Sequence, residues 1–161
     1  MSLKRSRGST PGIGSGMGPS YVRARRTEDY ALTLAATSTP IPFQTADFDT
    51  DDFWEGVTNP TRLTAPVDGI YRVTAAVAFY TSASADVFFG YHVNGSAVIG
   101  SHLHFGRLNN VGANVYVYVN GSDLVELSAG AYIEIVASGS GATRTVRSAP
   151  TIGMLELVEA T

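Results

Sequence analysis

An all-β sandwich or barrel is the fold class this sequence predicts, on three observations. First, Ile70–Tyr80 alternates strictly, with Tyr71, Val73, Ala75, Val77 and Phe79 on one side and Ile70, Arg72, Thr74 and Ala76 on the other. That is the two-residue period of a strand with one apolar face. Second, turn-forming pairs such as Asp68-Gly69, Asn94-Gly95 and Asn120-Gly121 punctuate the chain at short intervals, the rhythm of hairpin-connected sheets. Third, no stretch carries the 3.6-residue apolar period of an amphipathic helix.

Taken in order, residues 1–20 are rich in Gly, Ser and Pro, with Leu3, Ile13 and Met17 as their only large apolar residues beyond Met1. Such a segment cannot repay its ordering entropy by burying its own side chains. It is either a disordered tail or an arm that orders on a partner. The run GIGSGMG is not a phosphate loop, because Met17 breaks the G-x-G-x-x-G spacing and no strand precedes it. Tyr30–Thr37 is a short apolar run, and Thr39-Pro40-Ile41-Pro42 forces an extended connection. Phe43, Phe48, Phe53 and Trp54 then supply aromatic anchors, with the single Trp expected against the core or a neighbouring subunit.

Beyond the central strand, Val87–Val93 and Ala97–Phe105 flank Asn94-Gly95 as a type I′ hairpin. Gly106–Ala113 reads as a loop and Asn114–Asn120 as a strand whose Val115, Val117 and Val119 oppose Tyr116 and Tyr118. Asn120-Gly121-Ser122 reads as a turn, Leu124–Leu127 and Tyr132–Ala137 as strands, Ser138–Ala142 as a flexible tip, and Thr151–Glu159 as the closing strand. The total is eight to ten short strands.

At 161 residues the chain suffices for one domain with its own core. It has no Cys, which excludes disulfides and thiolate metal sites, and no apolar run long enough for a membrane-spanning helix. The basic N-terminus lacks the apolar core of a secretory signal. Charged residues make up only 16%, which suits a surface partly covered by other subunits. Charge is also divided unevenly. Residues 1–26 carry Lys4, Arg5, Arg7, Arg23, Arg25 and Arg26 and no acid, while residues 27–161 carry fourteen acids against five Arg. A basic leader precedes an acidic body.

The run Leu63-Thr64-Ala65-Pro66-Val67-x-Gly69-Ile70-Tyr71 resembles the signature of the complement-head and tumour-necrosis-factor jelly-roll superfamily, with Leu63 where Phe is usual. Val93-Asn94-Gly95, Leu124–Gly130 and Thr151–Leu157 follow in the order of that superfamily's central hairpin, late-strand entry and closing strand. Ala131 departs from the pattern, which has Asp there, and no collagen-like stalk precedes the domain. The resemblance spans roughly residues 42–159. It implies a TNF-like jelly roll of about ten strands over residues 42–161, preceded by an extended attachment arm over residues 1–41.

The resemblance also implies a homotrimer closed around aromatic side chains, for which Tyr71, Phe79, Phe88, Tyr91, Tyr116, Tyr118 and Tyr132 are the candidates. A short trimeric jelly roll behind a basic arm is similar to bacteriophage virion components. The expectation is therefore a non-enzymatic, capsid-surface decoration protein, its arm (Lys4, Arg5, Arg7, Arg23, Arg25, Arg26) binding the major capsid protein or another virion protein. The alternative is a receptor-binding knob or short fibre that recognises host surface glycan through loops at 82–86, 106–113 and 138–147. Nucleic acid and membrane are not expected partners.

No catalytic residue, cofactor or metal is expected. There is no G-x-S-x-G elbow, and the carboxylates cluster in turns. His92, His102 and His104 fall on one hairpin, where they would bind a transition metal, meet at a three-fold axis, or decorate a half-buried face. Asp47-x-Asp49-x-Asp51-Asp52 lacks the Gly and the twelfth-position acid of an EF-hand, which leaves a surface calcium site or a solvated acidic loop. Asn94-Gly95-Ser96 and Asn120-Gly121-Ser122 match the glycosylation sequon but serve better as turns.

Overall fold

The computed structural model describes residues 19–34, 38–81, 85–96, 104–139, 142–148 and 151–161. All regular structure among them is strand: β1 (Tyr21–Arg25), β2 (Tyr30–Leu34), β3 (Thr39–Pro40), β4 (Thr45–Asp49), β5 (Arg62–Thr64), β6 (Gly69–Thr81), β7 (Ala85–Val93), β8 (His104–Val111), β9 (Val115–Leu127), β10 (Tyr132–Gly139), β11 (Ala142–Val146) and β12 (Ile152–Ala160). No helix among the described residues is long and apolar enough to cross a membrane.

Two antiparallel sheets face each other. The larger has the order β2-β11-β6-β12-β1-β4, with β9 on the other edge of β6, and the smaller has the order β3-β10-β7-β8, with β5 also paired to β10. β6 is the spine of the larger sheet, pairing with β9, β11 and β12, and its alternation holds from Gly69 to Val77 before Ala78 is buried as well. Tyr71, Val73, Ala75, Val77 and Phe79 are all buried, while Arg72 is exposed. Facing them from the smaller sheet are Ile133, Ile135 and Ala137 of β10 and Val87, Phe89 and Tyr91 of β7. Ile41, Phe43, Phe53 and Leu63 fill the core from the connecting segments, and Trp54 packs half-buried against it.

One tight turn fixes the register of the central hairpin. Asn94 and Gly95 have φ of 51° and 73°, and the Val93 and Ser96 amides and carbonyls pair across them at 3.1 and 3.0 Å. This is the type I′ hairpin that the Asn-Gly pair predicts. Gly153 of β12 lies against Phe43 and Ile135 of the core, with no room for a side chain. A Cβ there would stand 2.5 Å from Phe43 Cζ and 3.3 Å from Ile135 Cγ1.

The structure departs from the sequence expectation in three places. The division at residue 41 does not fit, because β1 sits within the larger sheet between β12 and β4, its Val22 and Ala24 fully buried. β2 likewise pairs β11, so residues 21–34 belong to the sandwich rather than to an arm. The expected loop at 106–113 is strand β8 as far as Val111, paired to β7. The expected turn at Asn120-Gly121-Ser122 lies inside β9, which pairs β6 continuously from Gly69↔Leu127 to Thr81↔Val115. A Thr74–Ser122 hydroxyl hydrogen bond of 2.9 Å spans that point. A ladder of that length outweighs the local turn preference of Asn-Gly.

Candidate functional site

Strand parity sorts the aromatic candidates into two sets. Tyr71 and Phe79 point inward from β6, and Tyr91 points inward from β7; they are 0%, 0% and 2% exposed. Tyr71 donates its hydroxyl hydrogen to the Val67 carbonyl at 2.7 Å and meets the edge of Phe53 at 6.2 Å. Burial raises its pKa. Tyr91 donates to Asp123 Oδ2 at 3.2 Å, and burial first, then the Asp123 charge, pushes its pKa well above the ordinary value. These three side chains are core within one chain. They cannot form the expected subunit interface, since a surface already hidden offers nothing further to bury.

The outward parity gives a different picture. On β9, Tyr116, Tyr118 and Leu124 are 56%, 64% and 56% exposed. Tyr116 lies opposite Tyr80 across the ladder, ring centroids 5.2 Å apart, and the Arg147 guanidinium stands 5.6 Å from the Tyr116 ring. Farther across the same sheet face, Phe48 is also exposed and packs on Tyr21 at 6.0 Å. Large apolar residues exposed on one sheet face are the usual sign of a contact surface. The sequence reading does not single out Leu124 or Tyr80 and takes Phe48 as an anchor rather than a surface residue, although alternation with Val117 and Val119 marks the outward side of β9. Phe88 is half-buried on β7. Tyr132 is half-buried beneath Arg62, 4.1 Å from guanidinium carbon to ring centre, so its face is occupied within the chain.

Of the six basic residues, Lys4, Arg5 and Arg7 lie outside the described residues. Arg23, Arg25 and Arg26 lie in or at the end of β1 and are engaged by the sandwich itself. Asp47 bridges the first two, at 3.5 Å to Arg23 Nε and 2.5 Å to Arg25 Nε. Arg26 is buried, donating from Nε to the Glu28 carbonyl at 3.1 Å and from Nη1 to the Pro42 carbonyl. Its guanidinium stands 4.9 Å from the Tyr30 ring centre. Desolvation lowers its pKa.

The acidic run is held apart by separate tasks. Asp47 takes the two arginines, and Asp49 accepts from the Phe53 and Trp54 amides at 2.8 and 3.0 Å. Asp51 Oδ2 accepts from Ser20 and Thr50 hydroxyls at 2.6 and 2.8 Å, and Asp52 has a left-handed φ of 56°. Among the described residues no group of three or more His, Cys, Asp or Glu is placed to hold a metal. His92 lies half-buried on β7, while His102 is outside the described residues and only the backbone of His104 is described. Of the loops expected to meet glycan, residues 82–84 and 140–141 are outside the described residues.

One further concavity, of about 460 Å³, is walled by Arg26, Tyr30, Pro42, Phe43, Trp54 and Pro60. Aromatic and proline rings dominate it, and Val57, which also lines it, is 94% exposed.

No protein-family model and no curated protein matches this sequence. Solved structures do match its backbone. The globular domain of zebrafish complement 1qA protein superposes with a TM-score of 0.60 at 14% identity, covering 89% of this chain and 100% of that one. Murine APRIL, solved at pH 5.0, gives 0.57 at 12% identity over 88% of this chain and 100% of that one. The Eiger TNF of S. frugiperda gives 0.56 at 10% identity over 89% and 94%. At these identities the likeness is one of fold: the chain is an all-β jelly roll of the TNF and complement-head type.

Proposed function

We propose that this chain is a non-enzymatic structural subunit: a homotrimeric jelly-roll protein that decorates a bacteriophage capsid and is fastened there by its N-terminal residues. The observation that carries the reading is the outward row Tyr116, Tyr118 and Leu124 on β9. Tyrosines combine large contact area with a polar edge that tolerates a partly wet interface. The sequence resemblance supplies the number three.

With Arg23, Arg25 and Arg26 built into the sandwich, the attachment role narrows to Lys4, Arg5 and Arg7, facing an acidic partner surface. Three weakly binding leaders on one trimer reinforce one another through effective concentration. The test is deletion of residues 1–18 in full-length protein. The truncated protein is expected to stay trimeric and to lose attachment to intact particles; undiminished attachment contradicts the anchoring role.

A second reading, a receptor-binding knob for host surface glycan, is favoured by the concavity between Tyr30 and Trp54. Aromatic walls with a few polar groups suit a sugar ring. It requires the truncated protein to bind host cells and block infection, which a pure decoration protein does not do.

A further inference from the structure

We propose that Arg23 and Arg25 form a binding site for a small oxyanion, a phosphate, sulfate or carboxylate group. With Ala76, Ser148, Thr151 and Ile152 they line a pocket of about 240 Å³, sized for one such group and its hydration. Strand pairing assembles it from distant parts of the chain. Arg25 lies beside Ile152 and Ile152 beside Ala76, while the Arg26 amide donates to the Thr151 carbonyl at 3.1 Å.

Every polar side chain on this wall is a hydrogen-bond donor, and no carboxylate lines it. Several donors lack an acceptor. The Arg26 guanidinium, screened from solvent, is turned away from this wall to the Glu28 and Pro42 carbonyls and the Tyr30 ring, beside the other concavity.

Arg23 Nε is also screened from solvent and donates no hydrogen bond, although Asp47 Oδ2 stands 3.5 Å away. The buried Thr151 hydroxyl accepts from the Ala78 amide at 3.2 Å, so its own hydrogen remains to be donated. Ser148 is held at the pocket by its amide, which donates to Asp29 Oδ1 at 2.9 Å, and its hydroxyl has no acceptor among the described residues. Asp47 offsets one of the two positive charges. An oxyanion would meet the other, in the forked geometry that guanidinium groups offer to carboxylate, sulfate and phosphate alike. The site lies wholly within one chain and does not rest on the trimer.

The experiment is a titration of the full-length protein with sodium phosphate, sulfate and acetate, ionic strength held constant with sodium chloride. It follows the amide resonances of Arg26, Ser148 and Thr151 and the thermal midpoint. Saturable shifts confined to that corner are expected. The folded-to-unfolded ratio should rise about 100-fold at an anion concentration of 100 times Kd. The order among the three anions distinguishes a tetrahedral group from a planar one.

R23Q and R25Q, at half-exposed side chains, should fold normally and each weaken binding about tenfold or more. The R23Q, R25Q double variant should abolish it. Amides that do not move, or an unsaturating gain in stability equal in wild type and R25Q, would mean only general salt exclusion from the surface and overturn the proposal.

Discussion

Two groups of aromatic residues, alike in sequence, do opposite things. Tyr71, Phe79 and Tyr91 lie inside the sandwich and hold one chain together; Tyr116 and Tyr118 stand outside it on β9. Both groups sit on strands of alternating pattern, and a step of one residue moves a side chain from one face to the other. The contrast teaches that aromatic content does not announce an interface. What separates an exposed aromatic from a core one is its parity relative to the buried valines.

The sharpest way to break the comparison is to remove one member of the inner set. Phe79→Ala should cost about 3–5 kcal/mol, the range for emptying a buried aromatic site, seen as a large drop in the urea midpoint. A cost near zero would show that Phe79 is not core. Next in size is Gly153→Ala, whose added carbon would stand 2.5 Å from Phe43 Cζ. Overpacking of this kind costs about 1–3 kcal/mol, and thermal unfolding would register it. Trimming Phe43 to Leu in the same chain should recover part of the loss.

The pH dependence sharpens the inner set further. The pKa of Tyr91 is raised on folding, so between its unfolded value near 10 and its higher folded value the native state holds a proton that the unfolded state has released. Its contribution is therefore fully present below about pH 10 and declines as pH rises beyond that. Stability of the wild type should fall more steeply from pH 9 to 11 than that of Tyr91→Phe; parallel curves would refute the assignment.

The outer set should behave differently. The double change Tyr116→Ser and Tyr118→Ser should alter the stability of the isolated fold by less than about 1 kcal/mol. The smallest effect is expected from Arg72→Gln. Its ion pair with Glu156 at 2.8 Å is exposed on both sides, and solvent screening leaves such pairs worth about 0–1 kcal/mol.

Much of the fold was legible because its strongest signals are local. β6 declares its inner face residue by residue, and Asn94-Gly95 specifies its hairpin. The misreadings arise where distant pairing overrides local preference. Asn120-Gly121 looks like a turn until thirteen residues of β6 lie beside it. Polar Asn109 and Asn110 look like a loop until β7 pairs with that segment. β1 was hidden by its own charges: counted with the basic leader, its Arg23 and Arg25 obscured the buried Val22 and Ala24 between and beside them.

The outer aromatic row was legible from the Val115, Val117 and Val119 alternation. The arginine pocket was not, because it exists only once β1 meets β12 from the far end of the chain. Burial of Arg26 depends likewise on Pro42 and Tyr30 coming together around it.

The outward face of β9 as a subunit contact is tested most directly by sedimentation equilibrium of the wild type beside the Tyr116→Ser, Tyr118→Ser double variant. A trimeric wild type and a folded, monomeric variant with an unchanged strand-type circular dichroism spectrum are the expected results. A wild type that stays monomeric at high concentration, or a double variant as trimeric as its parent, would contradict the assignment of this face.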